Sequence, residues 1–153
     1  MKTPEQRLRG ALPARTPGWT LTELLVALAL MGSLAALALP AYLQQLRQAR
    51  RSDAQVALQQ LQMDQTRWRG MHDSYADSLP ALGWASDLSP GGHYRIRIAQ
   101  ASAEGYTLEA LAFGAQATDR DCSPLRLVWQ GSGSTTLSAG DQTDGDPRRC
   151  WRQ

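Results

Sequence analysis

Thr16-Pro17-Gly18-Trp19-Thr20-Leu21-Thr22-Glu23-Leu24-Leu25-Val26 joins a polar, arginine-bearing leader to a long apolar run, and a single glutamate interrupts that run near its start. From Leu24 to Leu43 twenty residues pass without a charged side chain. At about 1.5 Å per residue, a helix of that length crosses the roughly 30 Å of bilayer hydrocarbon. An acidic residue inside such a run costs roughly 2.5 to 3.5 kcal/mol at the helix centre and less near the end, where Glu23 lies. A cationic partner for Glu23 is the natural expectation.

The helix is expected to continue past the apolar run. Leu43 to Arg69 is rich in Gln, Ala, Leu and Arg, all good helix formers. Ala54, Ala57, Leu58, Leu61 and Trp68 recur on one face, leaving Arg47, Arg50, Arg51, Gln55, Gln59 and Gln62 largely for the others. The spacing predicts one spine of roughly 50 residues whose second half lays an apolar stripe on a sheet. Pro40 removes the hydrogen bond to the Ala36 carbonyl, so a kink is expected there, and Gly32 is a second weak point.

After Gly70 the pattern changes. Asp73, Asp77, Pro80, Gly83, Pro90, Gly91 and Gly92 punctuate a loop region, which Tyr75, Leu79, Leu82 and Trp84 are expected to pin to the core. Tyr94, Ile96 and Ile98 then alternate with Arg95 and Arg97, the pattern of a half-buried strand. Tyr106 to Phe113, Leu125 to Gln130 and Thr135 to Ala139 read as three more strands, with Gly131-Ser132-Gly133-Ser134 as the last turn. The fold class is α+β: a long N-terminal helix packed on a roughly four-stranded antiparallel sheet.

At 153 residues the chain allows one globular domain besides the apolar helix. Its formal charge of +2 is carried by the leader, where Lys2, Arg7, Arg9 and Arg15 stand against Glu5. Without residues 1–18 twelve basic and thirteen acidic side chains remain, which argues against a generally basic, nucleic-acid-binding protein. The leader's four basic residues face Arg47, Arg50 and Arg51 beyond the other end of the run, so charge alone leaves the orientation open.

Gly18-Trp19-Thr20-Leu21-Thr22-Glu23-Leu24, Gly32, Pro40-Ala41-Tyr42 and Arg50-Arg51-Ser52-Asp53-Ala54 resemble the N-terminal segment of the type IV pilins, which carry class III signal peptides. The resemblance implies a leader over 1–18, cut after Gly18 by a prepilin peptidase that also N-methylates Trp19. It also implies a transmembrane and assembly helix over 19–43, and a periplasmic globular domain over 44–153 that includes the second half of the spine. Glu23, at the fifth mature position, would meet the terminal amine of a neighbouring subunit. The segment from Gly32 to Pro40 would be an element that can lose helical structure in the fibre. Two residues depart from the family pattern: Trp19 replaces the usual Phe, and Thr22 an aliphatic residue.

Cys122 and Cys150 lie near the end of a domain that this resemblance places outside the cytoplasm, where a disulfide is the expected state. The pair would bound a C-terminal loop, which is typical of the family. A zinc site with His72 and His93 is the alternative, but these ligands lack the short paired spacings of structural zinc sites. Asp141, Asp144 and Asp146 do not have the spacing of a calcium loop. No metal, cofactor or catalytic residue is expected, because no nucleophile motif or dinucleotide fingerprint occurs.

The ending Cys150-Trp151-Arg152, with Tyr106-Thr107-Leu108, is most similar to PilE-type minor pilins. The resemblance therefore implies a structural minor subunit of a Gram-negative type IV pilus, serving pilus biogenesis, twitching motility, adhesion or DNA uptake. It would sit first in the inner membrane and then in the extracellular fibre. Its partners would be other pilins, the peptidase/methyltransferase and the inner-membrane assembly platform. A DNA-binding minor pilin is an alternative, with Arg148, Arg149 and Arg152 on phosphates and Trp151 stacked on bases. A minor pseudopilin of type II secretion is another. Many of those have a calcium site in place of the disulfide loop, so the cysteine pair favours the pilus.

Overall fold

The computed structural model describes residues 19–131, 133–140 and 147–151. The leader expected over 1–18, Gly18 at its end, Asp141, Asp144, Asp146 and Arg152 lie outside the described residues. The chain divides into two compact units, residues 1–39 and residues 40–153. Helix α1, Leu21–Arg69, enters both.

In the first unit α1 begins where Thr20 caps it. The Glu23 backbone N–H donates to Thr20 Oγ1 at 3.2 Å, which satisfies one of the amide donors left over at a helix start. Of residues 21–39 only Ala27 is even partly covered. Gly32 and Pro40 are both helical, so the proline does not end the helix.

In the second unit Ala54, Ala57, Leu58 and Leu61 of α1 are buried, as their spacing predicts. They share a core with Tyr94, Ile96, Tyr106, Leu108, Ala110, Leu125 and Leu127 of the sheet. Fully burying one such side chain is worth about 1.5–3 kcal/mol, so this stripe is what fastens helix to sheet. Trp68 is a correction to the expected stripe. It is half-buried and stacks on His72, with ring centroids 3.7 Å apart and planes 5° from parallel. The stripe is completed instead by two polar residues. Gln65 donates to the Ala76 carbonyl at 2.7 Å and accepts the Ala76 N–H at 2.9 Å, a pairing that lets an amide be fully buried without loss. Asp64 accepts the Trp84 indole N–H at 3.0 Å.

The sheet is an antiparallel meander in the order β1-β2-β3-β4, with β1 Tyr94–Ala101, β2 Gly105–Ala112, β3 Leu125–Gln130 and β4 Ser134–Ala139. Alternate residues enter the core, so Tyr94, Ala112, Ile96 and Ala110 pair on the inner face and Arg97 and Glu109 on the outer. The second strand is shifted one residue earlier than its expected bounds. Phe113 leaves it, donating its N–H to the His93 carbonyl, and Arg95 lies over its ring at 4.6 Å. The fourth strand starts one residue earlier than expected, at Ser134.

The long connection from α1 to β1 is held as the apolar residues predict: Tyr75, Leu79, Leu82 and Trp84 pack against the core. A 3-10 turn, Pro80–Leu82, ends at Gly83, whose φ of 83° is open to glycine and strained for other residues. Asp53 on α1 fastens the end of the connection, accepting the Gly91 N–H at 2.8 Å and the Ser89 hydroxyl. A Cβ on Gly91 would lie 2.8 Å from that carboxylate, so the contact needs a glycine.

Candidate assembly helix and C-terminal loop

The first site is the start of α1. Trp19 is 70% exposed, and from Leu21 onward Leu24, Leu25, Val26, Leu28, Leu30, Met31, Leu34, Leu37 and Leu39 all face outward. A water-soluble helix buries its apolar side chains, so a surface of this composition requires a bilayer or other apolar helices around it. By length and composition α1 is able to cross a membrane. Glu23 lies in the first turn, three residues after the Thr20 cap. Thr20 and Glu23 have the spacing of a capping box, and an acid there also suits the positive end of the helix dipole. The Thr-x-x-Glu spacing was readable in the sequence. It gives Glu23 a local reason to be at this position, in addition to any contact with a second subunit.

The second site is the C-terminal loop. Cys122 and Cys150 form a disulfide with their Cα atoms 5.4 Å apart, so the zinc alternative, which needed both thiolates, does not arise. The bond joins the 3-10 turn Arg120–Cys122 to the turn Pro147–Arg149. Three further contacts seat the loop. Arg51 Nη1 donates to the Arg149 carbonyl at 2.9 Å, Gln55 Nε2 to the Cys150 carbonyl at 3.3 Å, and the Trp151 indole N–H to the Ser138 carbonyl at 2.9 Å.

Trp151 therefore lacks the exposure that the DNA-binding alternative asks of it. It is 5% exposed, with its ring in the core and its polar edge spent on β4, and offers no face to a base. Arg148 and Arg149 are exposed. The structure thus keeps the two described arginines of the DNA-contact set at the surface and separates them from the aromatic.

Behind the loop is a polar network that sequence reasoning missed. Arg51 forks onto the Asp119 carboxylate, Nε at 2.7 Å and Nη2 at 2.8 Å, the bidentate geometry that guanidinium groups favour. Its hydrogen bond to Asp119 raises the Arg51 pKa further above its ordinary value and outweighs partial burial. Gln116 Nε2 lies between Arg47 O, Tyr94 Oη and Asp119 Oδ2, all at 3.0 to 3.1 Å. Burial pushes the Tyr94 phenol up to about 12, although its bond to Gln116 works the other way. The only sequence hint of this network was Arg51 itself, next to the core stripe. Its partners lie nearly seventy residues away, beyond any local pattern.

Residues 40–126 match the profile of the family described as type IV minor pilin ComP, DNA uptake sequence receptor. That stretch is more than half of the chain, and the chain belongs to this family of type IV pilins. It is also similar to the type IV major pilin protein PilA of Myxococcus xanthus strain DK1622, at 26% identity over 145 residues, which cover 84% of this chain and 66% of the relative. The chain thus spans just under two thirds of the length of that curated relative.

Proposed function

We propose that this chain is a structural minor subunit of a type IV pilus. In this reading the leader 1–18 is removed after Gly18 and Trp19 is N-methylated. The segment 19–43 holds the subunit in the inner membrane of a Gram-negative cell, and the domain 44–153 projects into the periplasm until the assembly platform moves the subunit into the fibre. The observation that carries the reading is the burial contrast along α1: its apolar first half is exposed and its mixed second half is buried on a sheet. Membership of the pilin family supports the same conclusion. In the fibre the spines form an apolar bundle, where an unpaired carboxylate is costly. Glu23 therefore selects the axial register in which a neighbour's terminal amine meets it. Glu23→Ala is expected to leave the membrane level of the subunit unchanged and to lower its share in sheared pili. Equal incorporation at equal membrane level would dismiss this role.

A second reading, DNA uptake, is favoured by the description of the matching family. Arg148 and Arg149 are exposed on the turn Pro147–Arg149, with Trp151 excluded from stacking. Full-length chain in nonionic detergent is expected to shift duplex DNA in a gel. The shift should weaken with salt, and Arg148→Ala with Arg149→Ala should reduce it. No shift at low salt would remove this reading and leave the structural one intact.

A further inference from the structure

Every basic side chain after residue 18 is an arginine, and the fold gathers several of them at one end of the second unit. Arg47 and Arg50 precede Ala54 by seven and four residues, so they continue the core face of α1 toward the apolar run, past the point where the sheet covers it. The polar network then draws in two distant segments. Arg47 O accepts from Gln116, Gln116 donates to Asp119, Asp119 is forked by Arg51, and Arg51 donates to the Arg149 carbonyl. This chain of contacts brings the backbone of Arg149, and that of Arg120 next to Asp119, to the stretch of helix that carries Arg47 and Arg50. Arg120 and Arg149 are exposed, and Arg47 and Arg50 are half-buried.

None of these four guanidinium groups has an acidic side chain within ion-pair distance among the described residues. The described carboxylates nearest them in the chain are Asp53, which accepts from Ser89 and Gly91, Asp119, already bound by Arg51, and Asp121. An anionic ligand would supply the counter-charge that these four groups lack among the described residues.

We propose that Arg47, Arg50, Arg120 and Arg149 form a collar that binds the phosphates of anionic phospholipids at the surface of the membrane crossed by residues 19–43. The inference rests on the membrane-spanning reading given above. Position decides the occupant. Arg47 and Arg50 stand four and seven residues beyond Leu43, about 6 and 10 Å of helix rise, and the headgroup layer beside the hydrocarbon is roughly 5 to 8 Å deep. Their long stems place the charged heads in that layer, and arginine's planar fork matches a phosphate. Nucleic acid is the competing polyanion. It is disfavoured because the nearest tryptophan, Trp151, is buried and gives the group no stacking surface.

The test uses the full chain reconstituted in phosphatidylcholine vesicles with a trace of spin-labelled phosphatidylglycerol or spin-labelled phosphatidylcholine. The readout is the motionally restricted fraction of each label. At low salt the restricted fraction should favour phosphatidylglycerol by about fivefold or more, the factor expected of at least one arginine seated at the surface. The preference should fall toward one in the triple variant R47Q/R50Q/R120Q and at high salt. R120Q alone changes an exposed side chain outside the polar network and should lower the preference part of the way, which separates loss of the site from loss of the fold. Equal restriction of the two lipids would overturn the collar and leave the membrane-spanning reading standing. A preference unchanged in the triple variant would overturn it too. Restriction of neither lipid would defeat the membrane reading and this inference together. Loss of the preference on adding short duplex DNA would assign the arginines to nucleic acid and overturn the lipid site.

Discussion

Glu109 stands on the sheet face turned away from α1, since Leu108 and Ala110 on either side of it are in the core, yet its own side chain is almost wholly covered. Its cross-strand partners do the covering. Arg97 Nε donates to it at 2.7 Å and Arg126 Nε at 2.6 Å. Burial alone pushes this carboxyl up, but the hydrogen bonds from Arg126 and Arg97 outweigh it and hold Glu109 below the usual carboxylate range. A depressed value in the folded state contributes stability above the unfolded carboxylate pKa, and that contribution is lost as pH falls through the folded value. Glu109→Gln should therefore cost about 1–3 kcal/mol at neutral pH, and the difference should shrink below about pH 4. Denaturant unfolding of both proteins in nonionic detergent at several pH values measures it, and a pH-independent difference would show that the ion pairs are not the cause. The disulfide was readable at this scale because Cys122 and Cys150 are the two cysteines of the sequence. Gln65 and Asp64 were not, because a polar residue on a core stripe is explained only by partners supplied from the 71–93 connection. For Trp151 the DNA-binding alternative rested on basic neighbours in sequence, while its partner in space is a β4 carbonyl.

Among the elements, α1 and the four strands follow from period and punctuation, and their bounds came within a residue of the expected ones where turn chemistry is clear. Local periodicity could not tell where the sheet stops covering the helix, and so Trp68 was assigned to the core. The packing of the 3-10 turns around Cys122 and Pro147 was also hidden, since it depends on contacts between segments far apart in sequence. The disulfide shows how such a connection can be weighed. It closes a loop of sequence separation 28, which the chain-entropy account makes worth about 3–4 kcal/mol. Cys122→Ser and Cys150→Ser open the same loop, so both should lower the unfolding free energy by similar amounts. The turn is also seated by Arg51, Gln55 and Trp151, so near-ultraviolet circular dichroism should still report a packed Trp151 in both variants under native conditions. Unequal losses would mean that one cysteine has a second role, and loss of the Trp151 signal would mean that the covalent bond alone holds the loop.

For the molecule as a whole, the same core that fastens α1 to the sheet sets an alkaline limit on stability. Tyr94 and Tyr106 lie on neighbouring strands within that core, Tyr94 wholly buried and Tyr106 nearly so. Burial pushes each phenol up to about 12. For Tyr106 the nearby Tyr75 adds to the rise, and its ring meets Tyr106 edge-on at 4.8 Å. A raised value in the folded state means that the stabilisation is complete below the unfolded tyrosine pKa, near 10, and is lost as pH rises toward 12. Each tyrosine that ionises only on unfolding steepens the loss by about 1.4 kcal/mol per pH unit, so the pair should give a slope near twice that between pH 10 and 12. The experiment is clean because no lysine follows Lys2 and arginine keeps its charge throughout. Tyr106→Phe removes one titrating group and its hydrogen bond with Gln62, which is outside the C-terminal network, and it should roughly halve the slope while leaving the acid limb set by Glu109 unchanged. Unfolding of the full chain in nonionic detergent, followed by tyrosinate absorbance and circular dichroism together, decides the point. An alkaline slope unchanged in Tyr106→Phe would mean that Tyr106 ionises alike in the folded and unfolded chain, and would refute its burial in the core between helix and sheet.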